Sequence, residues 1–427
     1  MKFTLLSPGT GSYYCGACMR DNALAKGLHE TGHEVSLLPM YLPLQLDEAT
    51  LPQAKEPPIF FGGINVFLQQ KVSLFRYTPR WMDRLLNGKG LLRAAAKRSH
   101  MTSAREHGEM ALAMLRLEES NLTKELEKLI DWLALEQPEV VSLSTTLQAG
   151  MIRALKERLG VKVICSFQGE DSFLDGLPEP YRTECWQEMG VRLRDADLVV
   201  APSRFYAELM KARMEMPDLR IEVLPNGIDL TGYDLEVSKE EPPTIGYLAR
   251  MIPEKGVGIM VDAYIHLRTV LGVEKVQMKL AGTATAEDEA LVKALQRKLA
   301  AAGLGEEVTW ATNISREEKI VFLKSLSLFS VPATYSEAFG LYLAEALAAG
   351  VPLVQPAAAS FVEVLGQSQA GILVAPNNAV ALAEGWRDLL ADPARCKALG
   401  ERGRRAAEES YSMAAMRERF LVLVDGV

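Results

Sequence analysis

Short apolar runs alternate with helical segments twice along this chain, on either side of an acidic, proline-containing stretch. In the first half Lys2–Ser7, Glu34–Leu38, Glu139–Leu143, Val161–Phe167, Asp197–Ala201 and Ile221–Leu224 read as strands. In the second half Thr244–Leu248, Gln277–Ala281, Glu307–Trp310, Leu328–Pro332 and Gly371–Val374 do. Segments between them, such as Gln148–Leu159, Val257–Leu271, Asp288–Ala301 and Ala379–Leu390, carry helical periodicity. Uniformly apolar strands are buried on both faces. Strands separated by helices pair in parallel, so each half predicts a doubly wound α/β sheet covered by helices. Leu230–Pro243 has neither period and reads as a linker. A chain of 427 residues also exceeds one compact core. The expected division is 1–235 and 236–410, followed by an amphipathic segment, 411–427. Residues 40–130 break the rhythm, and a helical, basic insertion is expected at about 71–130.

Ser336–Pro356, SEAFGLYLAEALAAGVPLVQP, reads as one mechanical unit. A strand precedes it, a polar turn leads into a helix rich in Ala and Leu, Gly350 ends that helix, and a second apolar strand follows. Glu337 and Glu345 are eight positions apart. On one continuous helix they would stand roughly 80° apart, so Glu337 is placed before the helix and Glu345 on its second turn. The first amides of the helix, at Phe339, Gly340 and Leu341, are then open to an anion. Carboxylates accept from hydroxyls and an amide cradle binds phosphate, a combination suited to a sugar joined to a phosphate.

Other polar groups fall at the carboxyl ends of strands, where doubly wound sheets bind ligands. Gly9, Gly11 and Gly16 follow the first strand, with a helix over Asp21–Thr31. Gly16 serves equally as a ligand contact or as room for the helix to start close to the sheet. Gln168-Gly169-Glu170-Asp171 ends the Val161–Phe167 strand, and Gly282 ends Gln277–Ala281. After Thr244–Leu248 comes a loop with Arg250 and Lys255, cations that suit a diphosphate or stand exposed in solvent. Cys15-Gly-Ala-Cys18 is a CxxC, the form of a redox pair or of half a zinc site; no second CxxC or His cluster completes a metal site, and plain packing or loop structure is the favoured reading. Asp195-Ala-Asp197 has the form of a metal-binding DxD but sits at the foot of a strand, where a turn is the plainer reading.

A net charge of −8 argues against nucleic-acid binding. Five cysteines, an odd and sparse count, fit a reducing cytoplasm, and the N-terminus reads as a strand rather than a signal peptide. Lys71–Arg105 reverses the overall charge, with Asp83 its only acid. It is either a solvated helix face or a patch for an anionic acceptor or a membrane surface, which would make the protein peripheral.

Taken in order, GHEV (Gly32–Val35), ADLVVAPS (Ala196–Ser203), LPNGID (Leu224–Asp229), RMIPEKG (Arg250–Gly256), LAG (Leu280–Gly282) and EAFGLYLAE followed by AAGVP resemble retaining glycosyltransferases of the GT-B fold, family 4. The resemblance spans nearly the whole chain and is weakest over 40–130. It implies two Rossmann-like domains facing across a cleft, with the segment from Tyr411 crossing back to the first. It implies that Glu345 binds the nucleotide ribose and Glu337 the transferred sugar. Arg250, Lys255 and the amides of Phe339, Gly340 and Leu341 would hold the diphosphate, with Gly282 near the diphosphate or sugar. Gly16 matches the second glycine of the family's N-terminal pair, whose first is here Cys15. Gln168 stands where the family usually has a donor-contacting histidine.

The implied reaction moves a sugar from a nucleotide-diphosphate sugar, UDP-linked as the family's commonest choice, to an acceptor hydroxyl. No metal and no cofactor beyond that co-substrate is expected. The acceptor hydroxyl would attack on the face from which the diphosphate leaves. Replacing Glu337 or Lys255 is expected to abolish transfer with folding nearly intact. The rivals are an epimerase or phosphorylase on the same fold, and a sugar-nucleotide binder without transferase activity, made thinkable by Gln168 and Cys15.

Overall fold

The computed structural model describes residues 1–9, 16–52, 57–62, 66, 68–69 and 104–427. Cys15 and the basic stretch Lys71–Arg105, but for its last two residues, lie outside these, as does most of the expected insertion. The chain forms two compact units, one of Met1–Leu224 with Arg417–Val427 and one of Pro225–Met416.

The first unit is built on a six-stranded, all-parallel sheet of β1 (Lys2–Ser7), β2 (Glu34–Pro39), β3 (Val140–Leu143), β4 (Lys162–Ser166), β5 (Leu198–Ala201) and β6 (Glu222–Val223). Its order is β2-β1-β3-β4-β5-β6. The central strands VVSL and LVVA are buried at every position, as strands covered on both faces must be. Helix Gly16–Glu30 starts earlier than the expected Asp21. The expected helix over 148–159 divides into a 3-10 turn, Thr146–Met151, and a helix, Ile152–Leu159. Thr145 explains the early start, since its hydroxyl caps the turn by accepting from the Leu147 amide.

The second unit repeats the plan with β7 (Thr244–Leu248), β8 (Gln277–Gly282), β9 (Val308–Thr312), β10 (Leu328–Phe329), β11 (Leu353–Pro356) and β12 (Gly371–Val374). All are parallel, in the order β12-β11-β10-β7-β8-β9. Helices Val257–Thr269 and Ala379–Leu390 pack along one another. Trp386 is sealed in the core, and its indole N–H donates to Ser330 Oγ at 2.8 Å.

The units divide at Leu224/Pro225 and at Met416/Arg417, beside the expected 235/236 and 410/411. The physical reason is a clasp inside the second unit. The Ile228 amide donates to Tyr411 O at 2.9 Å and the Met413 amide to Ile228 O at 2.8 Å, which ties 225–229 to the segment before the last crossing. Helix Met413–Asp425 runs on into the first unit, where Phe420 meets Phe3 with ring centroids 5.9 Å apart.

Candidate functional site

In the order β12-β11-β10-β7-β8-β9 the chain winds one way from β7 and the other way from β10. Adjacent strands that send their connections in opposite directions leave a crevice at their carboxyl ends, where open α/β sheets bind ligands. The loop after β7 carries Arg250 and Lys255, and the loop after β10 carries Glu337. Lys255 Nζ lies 2.6 Å from Glu337 Oε2, so the two loops join across this crevice.

Glu337 is 7% exposed and is reached by more than the lysine. Tyr342 Oη donates to the same Oε2 at 2.7 Å and Tyr335 Oη at 2.8 Å. Lys255 also donates to the Tyr335 hydroxyl, and its ammonium stands 4.9 and 5.2 Å from the Tyr335 and Tyr342 ring centroids. Burial by itself would raise the Glu337 pKa. The Lys255 charge and the hydrogen bonds from Lys255, Tyr342 and Tyr335 outweigh it and hold the carboxyl below its ordinary value. Burial and the Glu337 charge push the Tyr342 hydroxyl well up, so it remains a proton donor.

Glu345 projects from the second turn of helix Leu341–Ala348 and is also 7% exposed. Lys319, from helix Arg316–Ser325, donates to its Oε1 at 2.5 Å. The helix is held at its C-terminal end. Gly350 N–H reaches Leu347 O at 2.9 Å and Val351 N–H reaches Ala346 O at 3.0 Å, the closing pattern expected of Gly350. Arg404 donates to Ala348 O at 2.7 Å, adding a cation at the negative end. At the other end, the amides of Phe339, Gly340 and Leu341 have no protein acceptor among the described residues.

Two glycines shape the loop after β7. A Cβ on Gly282, which has φ +138°, would stand 1.9 Å from Ala249 O. One on Gly256, with φ +72°, would stand 1.9 Å from Pro332 O. Both are places where one backbone lies in the space of another's side chain. The Met251 amide donates to Thr283 O at 2.9 Å and fixes the Arg250 loop to the turn after β8. Arg250 Nε faces Asp288 Oδ2 at 3.5 Å, and Thr285 bonds the same oxygen through N–H and hydroxyl at 2.8 and 2.9 Å.

In the first unit, β1 and β3 form the corresponding reversal. Gly16 is the exposed first residue of its helix. Gln168 follows β4, and its turn is held by Glu170. Oε2 of Glu170 accepts from the amides of Gln168 at 2.8 Å and Gly169 at 3.0 Å. Its Oε1 accepts from the Thr145 hydroxyl at 2.7 Å and the Thr146 amide at 3.0 Å. One carboxylate thus ties the turn after β4 to the turn after β3. Asp195 and Asp197, the DxD pair, are engaged by Arg153 at 2.9 Å and Lys156 at 2.7 Å.

The structure therefore brings Lys255 and Glu337 together. It sets Glu345 on the helix that follows and directs the Arg250 Nε toward Asp288. Sequence reasoning missed Tyr335, Tyr342, Lys319 and Asp288 beside these residues of the second unit, whereas it did place Glu170 with Gln168 at the carboxyl end of its strand in the first. Lys319 left one signal, a lysine on the same helical face as Ile320 and Leu323, where an apolar residue belongs.

The family model described as Glycosyl transferases group 1 matches residues 235–406, and the model described as Glycosyltransferase Family 4 matches 93–231. The chain is 27% identical over 248 residues to a GDP-mannose-dependent alpha-(1-6)-phosphatidylinositol monomannoside mannosyltransferase of Mycolicibacterium smegmatis, covering 54% of this chain and 63% of the relative. It is 29% identical over 251 residues to a D-inositol 3-phosphate glycosyltransferase of Xylanimonas cellulosilytica, covering 55% and 58%. The chain thus spans less than two thirds of either relative. Among solved structures, sucrose-phosphate synthase of Thermosynechococcus elongatus superposes with a TM-score of 0.71 at 18% identity, covering 100% of this chain and 98% of that one. HepE of Anabaena, in complex with UDP, gives 0.67 at 15% identity with both chains covered in full. At these identities the two structures speak for the GT-B fold.

Proposed function

The chain belongs to the group 1 and family 4 glycosyltransferases, and on that premise we propose that it moves a sugar from a nucleoside-diphosphate sugar to an acceptor hydroxyl with retention of anomeric configuration. The observation that carries this reading is the joining of Lys255 to Glu337 across the β7–β10 crevice, with Glu345 and the amides of Phe339–Leu341 on the adjoining helix. Glu345 receives the ribose hydroxyls and Glu337 a hydroxyl of the transferred sugar. The amides, Arg250 and the remaining N–H of Lys255 receive the diphosphate, whose charge grows as the sugar–phosphate bond breaks. The acceptor oxygen bonds to the anomeric carbon on the face the diphosphate leaves, and the acceptor's proton passes to the departing phosphate oxygen. These cations and amides supply the leaving-group stabilisation, and no metal is assigned a role.

The donor is proposed to be UDP-linked, as the UDP complex of the HepE neighbour suggests, with a GDP-linked donor as the second arm after the mannosyltransferase relative. The acceptor class proposed for testing is a sugar or inositol derivative, after the names of the relatives.

The test is incubation of the full chain with UDP-glucose or GDP-mannose and a panel of sugar and inositol acceptors, with and without EDTA. Mass spectrometry detects the product and proton NMR its anomeric configuration. A retained linkage formed in EDTA is the expected result. An inverted product, or one abolished by EDTA, overturns the mechanism. Binding of a nucleotide sugar without any product favours the reading as a binder, for which Gln168 in place of the family's histidine is the supporting observation.

A further inference from the structure

Glu337 meets three hydrogen-bond donors, and all three meet the same oxygen. Lys255 Nζ, Tyr342 Oη and Tyr335 Oη reach Oε2 at 2.6, 2.7 and 2.8 Å. A carboxylate oxygen has two lone pairs, so the capacity of Oε2 is filled. Oε1 accepts from none of the described residues, and it is not among the side-chain atoms sealed from solvent. Resting on the reading just given, we infer that Tyr335 and Tyr342 are positioning residues for the donor sugar. They commit Oε2 and leave Oε1 as the oxygen of Glu337 that receives a sugar hydroxyl.

The direction of each proton supports this division. Lys255 has no lone pair to offer as an ammonium, so in its contact with Tyr335 it donates and the phenol accepts. The Tyr335 proton is then left to point at Glu337. Tyr342 has Glu337 as its acceptor, and its hydroxyl stays protonated because burial and the neighbouring carboxylate push its pKa well up. Without the two phenols the carboxylate could turn about its last bond and exchange its oxygens on Lys255. With them, rotation breaks three bonds at once.

Tyr342 also touches the other half of the site. A Cβ on Gly340 would stand 2.9 Å from Tyr342 Cζ and 3.1 Å from its hydroxyl oxygen, so the ring fills the side-chain space of Gly340, the residue whose amide is assigned to the diphosphate. The residue spans the sugar side and the phosphate side of the proposed donor, and only its hydroxyl concerns the sugar. Tyr342→Phe keeps the ring and removes the hydroxyl, which separates the two.

The experiment is isothermal titration of the full chain and of Tyr342→Phe, Tyr335→Phe and Glu337→Gln with UDP, UDP-glucose, GDP and GDP-mannose. The expected result is that Tyr342→Phe binds the accepted nucleotide sugar about ten-fold more weakly, the scale of one hydrogen bond to a charged group. Affinity for the matching bare diphosphate should hold. Tyr335→Phe, on the loop rather than in the helix, should show the same split and stands in if Tyr342→Phe does not fold. Equal weakening of diphosphate and nucleotide sugar assigns the tyrosine to general packing and overturns the inference. Loss of the sugar contribution in Glu337→Gln but not in the tyrosine variants overturns the inference while the proposed function stands. Loss in none of the variants, or no binding by the unaltered chain, overturns both.

Discussion

Lys255 and Glu337 come from loops after non-consecutive strands and meet with Nζ 2.6 Å from Oε2, side chains 18% and 9% exposed. A pair so enclosed is part of the structure as well as of the proposed site. Removing one partner of a buried ion pair leaves a charge with neither water nor counter-ion. The sequence-based expectation that either could be replaced with folding nearly intact is therefore revised. Lys255→Met should destabilise the chain by about 3 kcal/mol, because it strands the deeper carboxylate. Glu337→Gln should cost less, since the more exposed ammonium can turn to solvent. The double substitution should cost less than the sum of the two. Urea denaturation of the three variants measures all of this.

The same pair sets a pH dependence. The Glu337 carboxyl lies below its ordinary value of 4.5 when folded, because Lys255 and the two phenols more than offset burial. The unfolded chain therefore binds the proton more readily in acid. The stabilisation is complete above about pH 5 and is lost as pH falls through the depressed folded value. The difference in Tm between the natural chain and Glu337→Gln should be flat from neutral pH down to that point, then close. A gap that widens in acid would contradict the sign.

Gly282→Ala should displace the Arg250 loop, since the added Cβ would sit 1.9 Å from Ala249 O in a backbone with φ +138°. Strain of this kind costs about 1–3 kcal/mol. Diphosphate affinity should fall with it, because Arg250 follows Ala249 directly. Titration of the variant with UDP and GDP checks the affinity and thermal unfolding checks the strain.

Gln168→His should be tolerated by the fold. Glu170 holds this turn through the amides of Gln168 and Gly169, and a histidine at 168 keeps both of those bonds. The expected change in stability is within about 0.5 kcal/mol. Glu170→Ala, by contrast, strands three backbone amides and should destabilise the turn markedly. Comparison of donor-sugar preference between the natural chain and Gln168→His shows what the departure from the family's histidine does.

The sheets were legible because strands buried on both faces are apolar without interruption. Thr244–Leu248, buried at every position, matches the sequence reading residue for residue, and the partly exposed edge strand Gly371–Val374 matches on its apolar run alone. Strand and helix ends were less so, as at Thr146, where a hydroxyl cap starts a 3-10 turn ahead of the apolar periodicity. The partners of the two glutamates were hidden by their residue types. Tyr342 sits in an apolar helix and reads as core, which its ring is, while its hydroxyl bonds Glu337. Lys319 follows Glu317 and Glu318, which masks it as part of a charged run, and only its place on the face of Ile320 and Leu323 marks it as the 8% exposed residue it is. Only the pairing of β10 beside β7, a long-range event, shows why Lys255 and Glu337 belong together.

The most direct measurement is a titration that divides the labour of Glu337 and Glu345. Glu337→Gln and Glu345→Gln are each titrated with UDP, UDP-glucose, GDP and GDP-mannose. Glu345→Gln should weaken the accepted diphosphate and its sugar in parallel, while Glu337→Gln should weaken only the nucleotide sugar, by about ten-fold. Parallel loss in both variants, or a loss confined to the sugar in Glu345→Gln, would contradict the account.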